Sequence, residues 1–385
     1  MPGTVLHLIT GLGVGGAETL LLDLVRTMPD TEFRHVVVGM VGGGELRDRF
    51  AGAGVRVQDL GLARGWPDPR AIFRLRALLR GEEVAILQTW MYHANLLGTL
   101  ATRGLRSPPR VIWCLHAAAL DFPRYNPLTR VTTALCARLS GRPDAVVANS
   151  EATRQYHLAL GYRPAEWTVI HNGVDVQRFA PDPVARREVR AELGIPAGAP
   201  LVGLFARWDP MKDHASFLRA AALAARACPT MHVVLAGQGV SRENNELATL
   251  LAEADEALPG RVHVLGVRGD MPRLNAALDL AAVTSVSGES FSLAAGEAMA
   301  SGVPCVVTDL TFLPSLVGDT GVVVPRSRPE AIAAGIVRVL QLDEAERRAL
   351  GLRARERIVA WFSLDTMIAR YRELYRRLTT GRLAP

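Results

Sequence analysis

Two rhythms of apolar and polar positions alternate along the chain. Short unbroken apolar runs at Val5–Ile9, His35–Met40, Val55–Leu60, Val84–Gln88, Val111–Leu115, Ala145–Ala148 and Thr168–Ile170 predict strands buried on both faces, and therefore a parallel sheet. Between them, Ala17–Met28, Pro69–Arg80 and Asn95–Arg103 carry the spacing of amphipathic helices. A further helix is predicted from the cap residue Ser150 to Gly161, by its Ser start and Gly stop. The Asn-Gly turn within His171–Asp175 closes this half. A charged segment with prolines follows from 181 to 200, read as an interdomain connection holding one short helix. The alternation then restarts with Leu201–Phe205, His232–Ala236, Val262–Leu265, Leu280–Thr284, Pro304–Val307 and Gly321–Val324, and ends in helices Pro329–Leu340, Asp343–Ala360 and Leu364–Leu378. The expected fold class is α/β, with two Rossmann-like doubly wound domains facing a central cleft. Their expected limits are 1–180 and 181–362, with a helix in 363–385 packing back toward the first domain. Ligands of such sheets bind at the carboxyl ends of the strands, so the chemistry is expected there.

Composition narrows this further. A chain of 385 residues with 49% apolar and 21% charged residues suits a two-domain globular enzyme rather than a disordered or repetitive protein. Met1–Gly3 carries no basic residue and no apolar run is long enough to span a bilayer, so a cytoplasmic location is expected. Cys114, Cys136, Cys228 and Cys305 are scattered, as buried thiols of a reducing compartment are. The net charge of +6 is uneven: between Arg103 and Arg142 stand seven arginines and one acid, Asp121. Two readings stay open, an ordinary solvated surface or attraction to anionic lipid or a phosphorylated acceptor. No nucleic-acid partner is expected. Lys212 is the only lysine among 44 basic residues. Where composition favours arginine this strongly, a retained lysine marks a position that needs a compact ammonium group.

Three loops carry candidate chemistry. Gly11-Leu12-Gly13-Val14-Gly15-Gly16 satisfies G-x-G-x-x-G between a strand and a helix, which raises an NAD(P)-dependent oxidoreductase. The acid that should end the second strand and hold the ribose is missing, because that strand ends Gly39-Met40-Val41-Gly42. A tight turn, or a loop of N–H groups approaching a ligand, remains. Arg207 and Lys212 fall in the loop after the second half's first strand, where fixed cations would stabilise a departing diphosphate; a surface ion pair is the plain alternative. Glu289 and Glu297 flank a predicted helix start, with the helix running from Phe291 and Glu297 about two turns along. That arrangement suits a phosphate at the helix N-terminus with hydroxyl-rich groups on either side. A capping acid and a surface acid are the plain alternative.

In this order Gly15-Gly16-Ala17-Glu18, Ile170-His171-Asn172-Gly173-Val174-Asp175, Arg207 with Lys212-Asp213, and Glu289 with Glu297 followed by Ala298-Met299-Ala300-Ser301-Gly302 resemble the family-4 retaining glycosyltransferases of the GT-B fold. The resemblance covers nearly the whole chain. It implies that Arg207 and Lys212 hold the donor diphosphate, Glu289 the donor sugar and Glu297 the ribose. Phe291, Ser292 and Leu293 would supply backbone N–H groups, and Val267 and Arg268 would lie on the nucleobase. His116 would stand near the reacting sugar, and Gly15 and Gly16 near the phosphates or the acceptor. The chain departs from the family pattern at Ala206, where a glycine is usual, and at Ser315, where a glutamate is usual. The implied activity is metal-independent transfer of a hexose-type sugar from a nucleotide-diphosphate sugar, with UDP-sugar favoured, to a glycan or lipid-linked acceptor. Polysaccharide biosynthesis at the inner face of the membrane is the expected setting. No cofactor and no metal is expected; no Asp-x-Asp motif occurs. Beside the oxidoreductase, a non-enzymatic two-domain solute-binding protein is the other rival.

Overall fold

A computed structural model describes residues 3–28, 31–63, 68–118 and 126–380. The described chain forms two compact units. One comprises the chain up to Gly173 together with the chain from Leu364 onward; the other is Val174–Ser363.

The first unit holds a parallel sheet of β1 (Gly3–Ile9), β2 (Phe33–Val41), β3 (Arg56–Leu62), β4 (Val84–Trp90), β5 (Arg110–Leu115), β6 (Ala145–Ala148) and β7 (Trp167–Val169), in the order β3-β2-β1-β4-β5-β6-β7. The second holds β8 (Leu201–Phe205), β9 (His232–Ala236), β10 (Val262–Val264), β11 (Leu280–Val283), β12 (Cys305–Thr308) and β13 (Val322–Val324), in the order β10-β9-β8-β11-β12-β13. Both sheets are doubly wound and reverse direction beside their first strand, between β1 and β4 and between β8 and β11. Those two points are where such a sheet opens a crevice for ligands. The Val-, Leu- and Ile-rich strands are buried along most of their length, because helices cover both faces.

The helices follow the predicted pattern with three informative differences. Helix Met91–Thr102 begins four positions before the expected Asn95. Trp90 ends β4 and Met91 takes a left-handed backbone (φ 68°), so strand turns directly into helix without a polar loop. Helix Leu293–Ala300 begins two positions after the expected Phe291, because Ser292 caps it. Helix Pro183–Glu192, read as part of a connection, belongs to the second unit. Asp182 accepts from the Val184 and Ala185 N–H groups at its start (both 2.9 Å), and Arg186 and Arg190 reach Asp279 at the foot of β11 (2.6 and 3.1 Å). Val174, Val176 and Phe179 pack in the same core, so the unit begins at Val174 rather than 181.

The last helix, Leu364–Thr380, completes the first unit's core with Tyr371 and Tyr375. The Tyr375 hydroxyl donates to Gln88 Oε1, and Gln88 Nε2 donates to the Cys114 sulfur (3.0 Å). Gly173 makes the close approach possible: a Cβ there would lie 2.6 Å from the Leu364 Cα.

Candidate functional site

In the second unit the site grows from the loops that leave β8 and β11. After β8 the chain runs Ala206-Arg207-Trp208-Asp209 into one turn of 3-10 helix at Pro210–Lys212. Asp209 caps this turn by accepting from the Met211 N–H (2.9 Å). It also accepts from Arg207 Nε and Nη2 at 3.2 and 2.8 Å, which fixes a half-exposed guanidinium at the strand's end. Burial pushes the Asp209 carboxyl up, but the Met211 N–H, Arg207 and Lys212 outweigh it and hold the group below the ordinary carboxylate value. Asp213 then adopts a left-handed backbone (φ 52°), caps the helix His214–Ala224 through the Ser216 N–H (3.0 Å), and leaves Lys212 projecting at the turn.

Lys212 meets Glu289. Its ammonium donates to Glu289 Oε1, and Ser285 Oγ donates to the same oxygen at 2.9 Å. The Glu289 side chain is 9% exposed and that of Lys212 21%, so the pair is only partly desolvated. Two consecutive hydroxyl residues at the end of β11 secure it. The Thr284 hydroxyl lies 2.8 Å from the Lys212 carbonyl and 3.2 Å from that of Asp213. Ser285 holds the carboxylate, while its own carbonyl accepts from Thr308 at 2.6 Å. Thr311 donates to the Glu289 carbonyl. Thr284, Ser285 and Thr311 were not singled out from sequence. The signal was a polar pair immediately after an apolar strand, at the strand beside the switch point.

The β8, β9 and β10 loops are joined by backbone bonds. The Trp208 N–H donates to the Gln238 carbonyl (2.7 Å), and the Gly237 N–H to the Gly266 carbonyl (2.8 Å). Gly237 has φ 154°, and a Cβ there would fall 2.0 Å from the Ala206 carbonyl oxygen, so only glycine lets these loops close. Val267 follows Gly266 and is 74% exposed, an apolar side chain open on the loop surface. Arg268 is clamped by Asp270 (2.8 Å through Nε and Nη2) and by Glu192 (2.8 Å), which hold its guanidinium well above its usual value.

Phe291, Ser292 and Leu293 lead into helix Leu293–Ala300. Phe291 is buried against Phe312 and Phe362, with ring centroids 5.7 Å away in each case. Ser292 accepts from the Ala295 N–H at 3.4 Å. By helix geometry the N–H groups of Leu293 and Ala294 have no acceptor within the helix. Glu297 is its fifth residue, a little over one turn along rather than two, because the Ser292 cap delays the start. Ser315 is exposed on the short helix Leu313–Val317.

The first unit's switch point carries different groups. Gly15 caps helix Gly16–Thr27 without a side chain, and Gly16 is exposed. The loop before them is pinned by the Val41 N–H to the Thr10 carbonyl and the Leu46 N–H to the Leu12 carbonyl, both 2.9 Å. Burial raises the carboxyl of Glu18 in the helix's first turn. His116 follows β5 and stacks on Trp90 with centroids 5.1 Å apart and planes 17° from parallel. Burial lowers its pKa to about 4, against a smaller upward contribution from a hydrogen bond with Asn172, so the ring is neutral at physiological pH.

The architecture so built, two doubly wound α/β units, is that of the GT-B glycosyltransferases. The family model for Glycosyltransferase Family 4 matches residues 14–178, and that for Glycosyl transferases group 1 matches 199–342. The chain belongs to these glycosyltransferases. A relative is the D-inositol 3-phosphate glycosyltransferase of Kineococcus radiotolerans, 34% identical over 259 residues; the match spans 63% of this chain and 59% of that protein. Among solved structures, Anabaena Alr3699/HepE in complex with UDP and glucose superposes with a TM-score of 0.83, covering 97% of this chain and 100% of that one at 23% identity. Sucrose-phosphate synthase of Thermosynechococcus elongatus gives 0.81, covering 98% and 100% at 20% identity. At these identities the structural likeness is one of fold.

Proposed function

We propose that this glycosyltransferase moves a hexose-type sugar from a nucleotide-diphosphate sugar, UDP-sugar before others, with retention of anomeric configuration. The observation that carries this reading is the only lysine of the chain, Lys212, donating to Glu289 beside Arg207 at the second sheet's switch point. A lysine has three N–H donors, so Lys212 can keep Glu289 and still meet a phosphate oxygen. Arg207 and Lys212 then take the diphosphate, with the N–H groups at the start of helix Leu293–Ala300. Glu289 takes sugar hydroxyls through its second oxygen, and Glu297 takes the ribose. Val267 gives the nucleobase an apolar surface; Arg268 serves there through its backbone, since its side chain is engaged by two carboxylates. The first unit, with Gly15, Gly16, the Glu18 carboxyl beside Gly15 and the neutral His116, supplies hydrogen-bonding groups for hydroxyl-rich ligands.

In the retaining step the bond from the anomeric carbon to the phosphate oxygen breaks. A new bond to the acceptor oxygen forms on the same face, and the acceptor's proton passes to the leaving phosphate. The positive charges of the chain stabilise that phosphate as its charge develops. A glycan or lipid-linked acceptor of polysaccharide biosynthesis fits this reading, with the enzyme peripheral on the inner face of the cytoplasmic membrane. The arginine excess between Arg103 and Arg142 supports such a location.

Thermal shift with UDP-, GDP- and ADP-sugars tests the donor. A donor at a hundred times its Kd should stabilise the chain by about 2.7 kcal/mol, with UDP-sugars giving the largest shift. If no nucleotide sugar raises the Tm and none is consumed with an added acceptor pool, the reading fails.

A further inference from the structure

From Val84 to Pro143 the sequence holds a single acid, Asp121, and that residue lies outside the described ones. Two helices of the first unit come from this stretch and pack side by side, Met91–Thr102 and Pro127–Leu139. The first has no charged residue at all, and the second has arginines only. An outward helix face in water normally mixes acids and bases around few apolar groups. The outward face of Pro127–Leu139 is Pro127, Arg130, Val131, Ala134, Leu135 and Arg138, with Val131 55% and Leu135 38% exposed. Thr132, Thr133 and Cys136 on the opposite side are buried.

Where the two helices meet the loop before β5, a groove of about 310 Å³ opens. Its walls include Leu100, Pro109, Val111 and Leu139, and the exposed Arg103 and Arg142 belong to its lining. Arg110 beside it is already paired with Asp144 at 2.7 Å.

We infer that this face of the first unit docks on an anionic lipid bilayer, with Val131 and Leu135 entering the interface and a lipid phosphate seated between Arg103 and Arg142. The inference rests on the surface attraction proposed above and adds the face and the groups that make it. Apolar side chains flanked by arginines match a bilayer surface, and the acid in the groove's lining, Asp144, is already neutralised by Arg110. Arginine stems lie along the apolar boundary while their heads stay with the phosphates. The geometry also leaves the reacting end open. The groove lies at the amino end of β5 and His116 follows its carboxyl end, roughly 20 Å away by strand rise.

The test is flotation with vesicles of phosphatidylcholine alone and of phosphatidylcholine with phosphatidylglycerol, at low and high salt. Wild type should bind the anionic vesicles only. Arg103→Ser with Arg142→Ser should lower the partition coefficient by roughly 30-fold. Val131→Ser with Leu135→Ser, which leaves the charge unchanged, should lower it by roughly tenfold. Leu135→Trp should show an emission shift to the blue on anionic vesicles, quenched by brominated acyl chains. Both serine pairs should keep wild-type Tm and wild-type turnover of a soluble acceptor. Binding by wild type that the Val131/Leu135 pair leaves intact would refute the docking face while sparing the charge attraction. Equal behaviour on neutral and anionic vesicles would refute both. A dimer in solution that Leu135→Ser dissociates would assign the face to a second copy and overturn the inference.

Discussion

The two units share a winding order and differ in what they place at the point where it reverses. In the second unit that point holds Arg207, Asp209, Lys212 and Glu289, fastened to one another by charge-assisted bonds. In the first it holds a glycine loop with the Glu18 carboxyl beside it, a stacked Trp90–His116 pair and a left-handed Met91, with imidazoles that burial keeps neutral. The same backbone therefore serves two chemistries. Fixed charges suit a ligand whose own charge changes during reaction. Uncharged donors and acceptors suit hydroxyl groups that must be held without being ionised. Topology explains where each candidate site lies, and the side chains at the two loop ends are what the proposed roles rest on.

Lys212 is the sharpest way to break this contrast. If the ammonium meets charge that develops on the departing phosphate, Lys212→Ala and Lys212→Arg should each lose turnover more than donor affinity. The expected loss is about a hundred- to thousandfold. The arginine brings a larger planar fork to a carboxylate oxygen already shared with Ser285. Lys212→Ala also leaves Glu289 without its counter-charge, so its Tm should fall. Lys212→Arg should melt as wild type does, and it carries the decision: wild-type turnover in that variant would leave the diphosphate to Arg207 alone.

Much of this was legible before any coordinates. The Val-, Leu- and Ile-rich runs placed the strands to within a few residues, because strands buried on both faces have no polar alternation to blur them. The only lysine and Glu289, singled out by composition and spacing, meet in the structure. What escaped was set by local geometry. Met91 starts a helix from a backbone angle that no propensity predicts, and the Ser292 cap shifts Glu297 by about half a turn. Thr284 and Ser285 read as ordinary polar residues until tertiary contact brings them to Lys212 and Glu289. Arg268 was expected over a base, but Glu192 lies far from it in sequence and only folding reveals the clamp.

The two glutamates sharpen the comparison within the charged unit. Glu297→Ala should weaken free UDP binding by roughly tenfold or more, read by calorimetry. Glu289→Ala should spare that affinity and lower turnover of the sugar donor. Unchanged UDP affinity in Glu297→Ala would remove the ribose assignment. Ser285 acts one bond further out, as a positioning residue. Ser285→Ala should lower kcat by roughly tenfold with UDP affinity intact. The loss should vanish with a deoxy donor that lacks the hydroxyl Glu289 holds. A loss of the same size on both donors would mean that Ser285 merely supports the fold.

The smallest effect concerns the neutral unit and is seen in acid. Burial lowers His116 and His157 of the first unit and His214 of the second to about 4, below the usual histidine value of about 6.5. The folded state therefore binds fewer protons than the unfolded state between those values. Stability from this source is complete above about pH 6.5 and is lost as the pH falls toward 4. The Tm should decline steadily from pH 7 to pH 5. His116→Phe, which keeps a ring against Trp90 and cannot take a proton, should decline less steeply than wild type. The same neutrality predicts that turnover shows no inflection near pH 6.5 assignable to His116. If the His116→Phe slope matched that of wild type while an inflection near 6.5 disappeared from its rate profile, the imidazole would be titrating in the folded enzyme. The first unit would then present a cation after all, and the contrast between the two switch points would not hold.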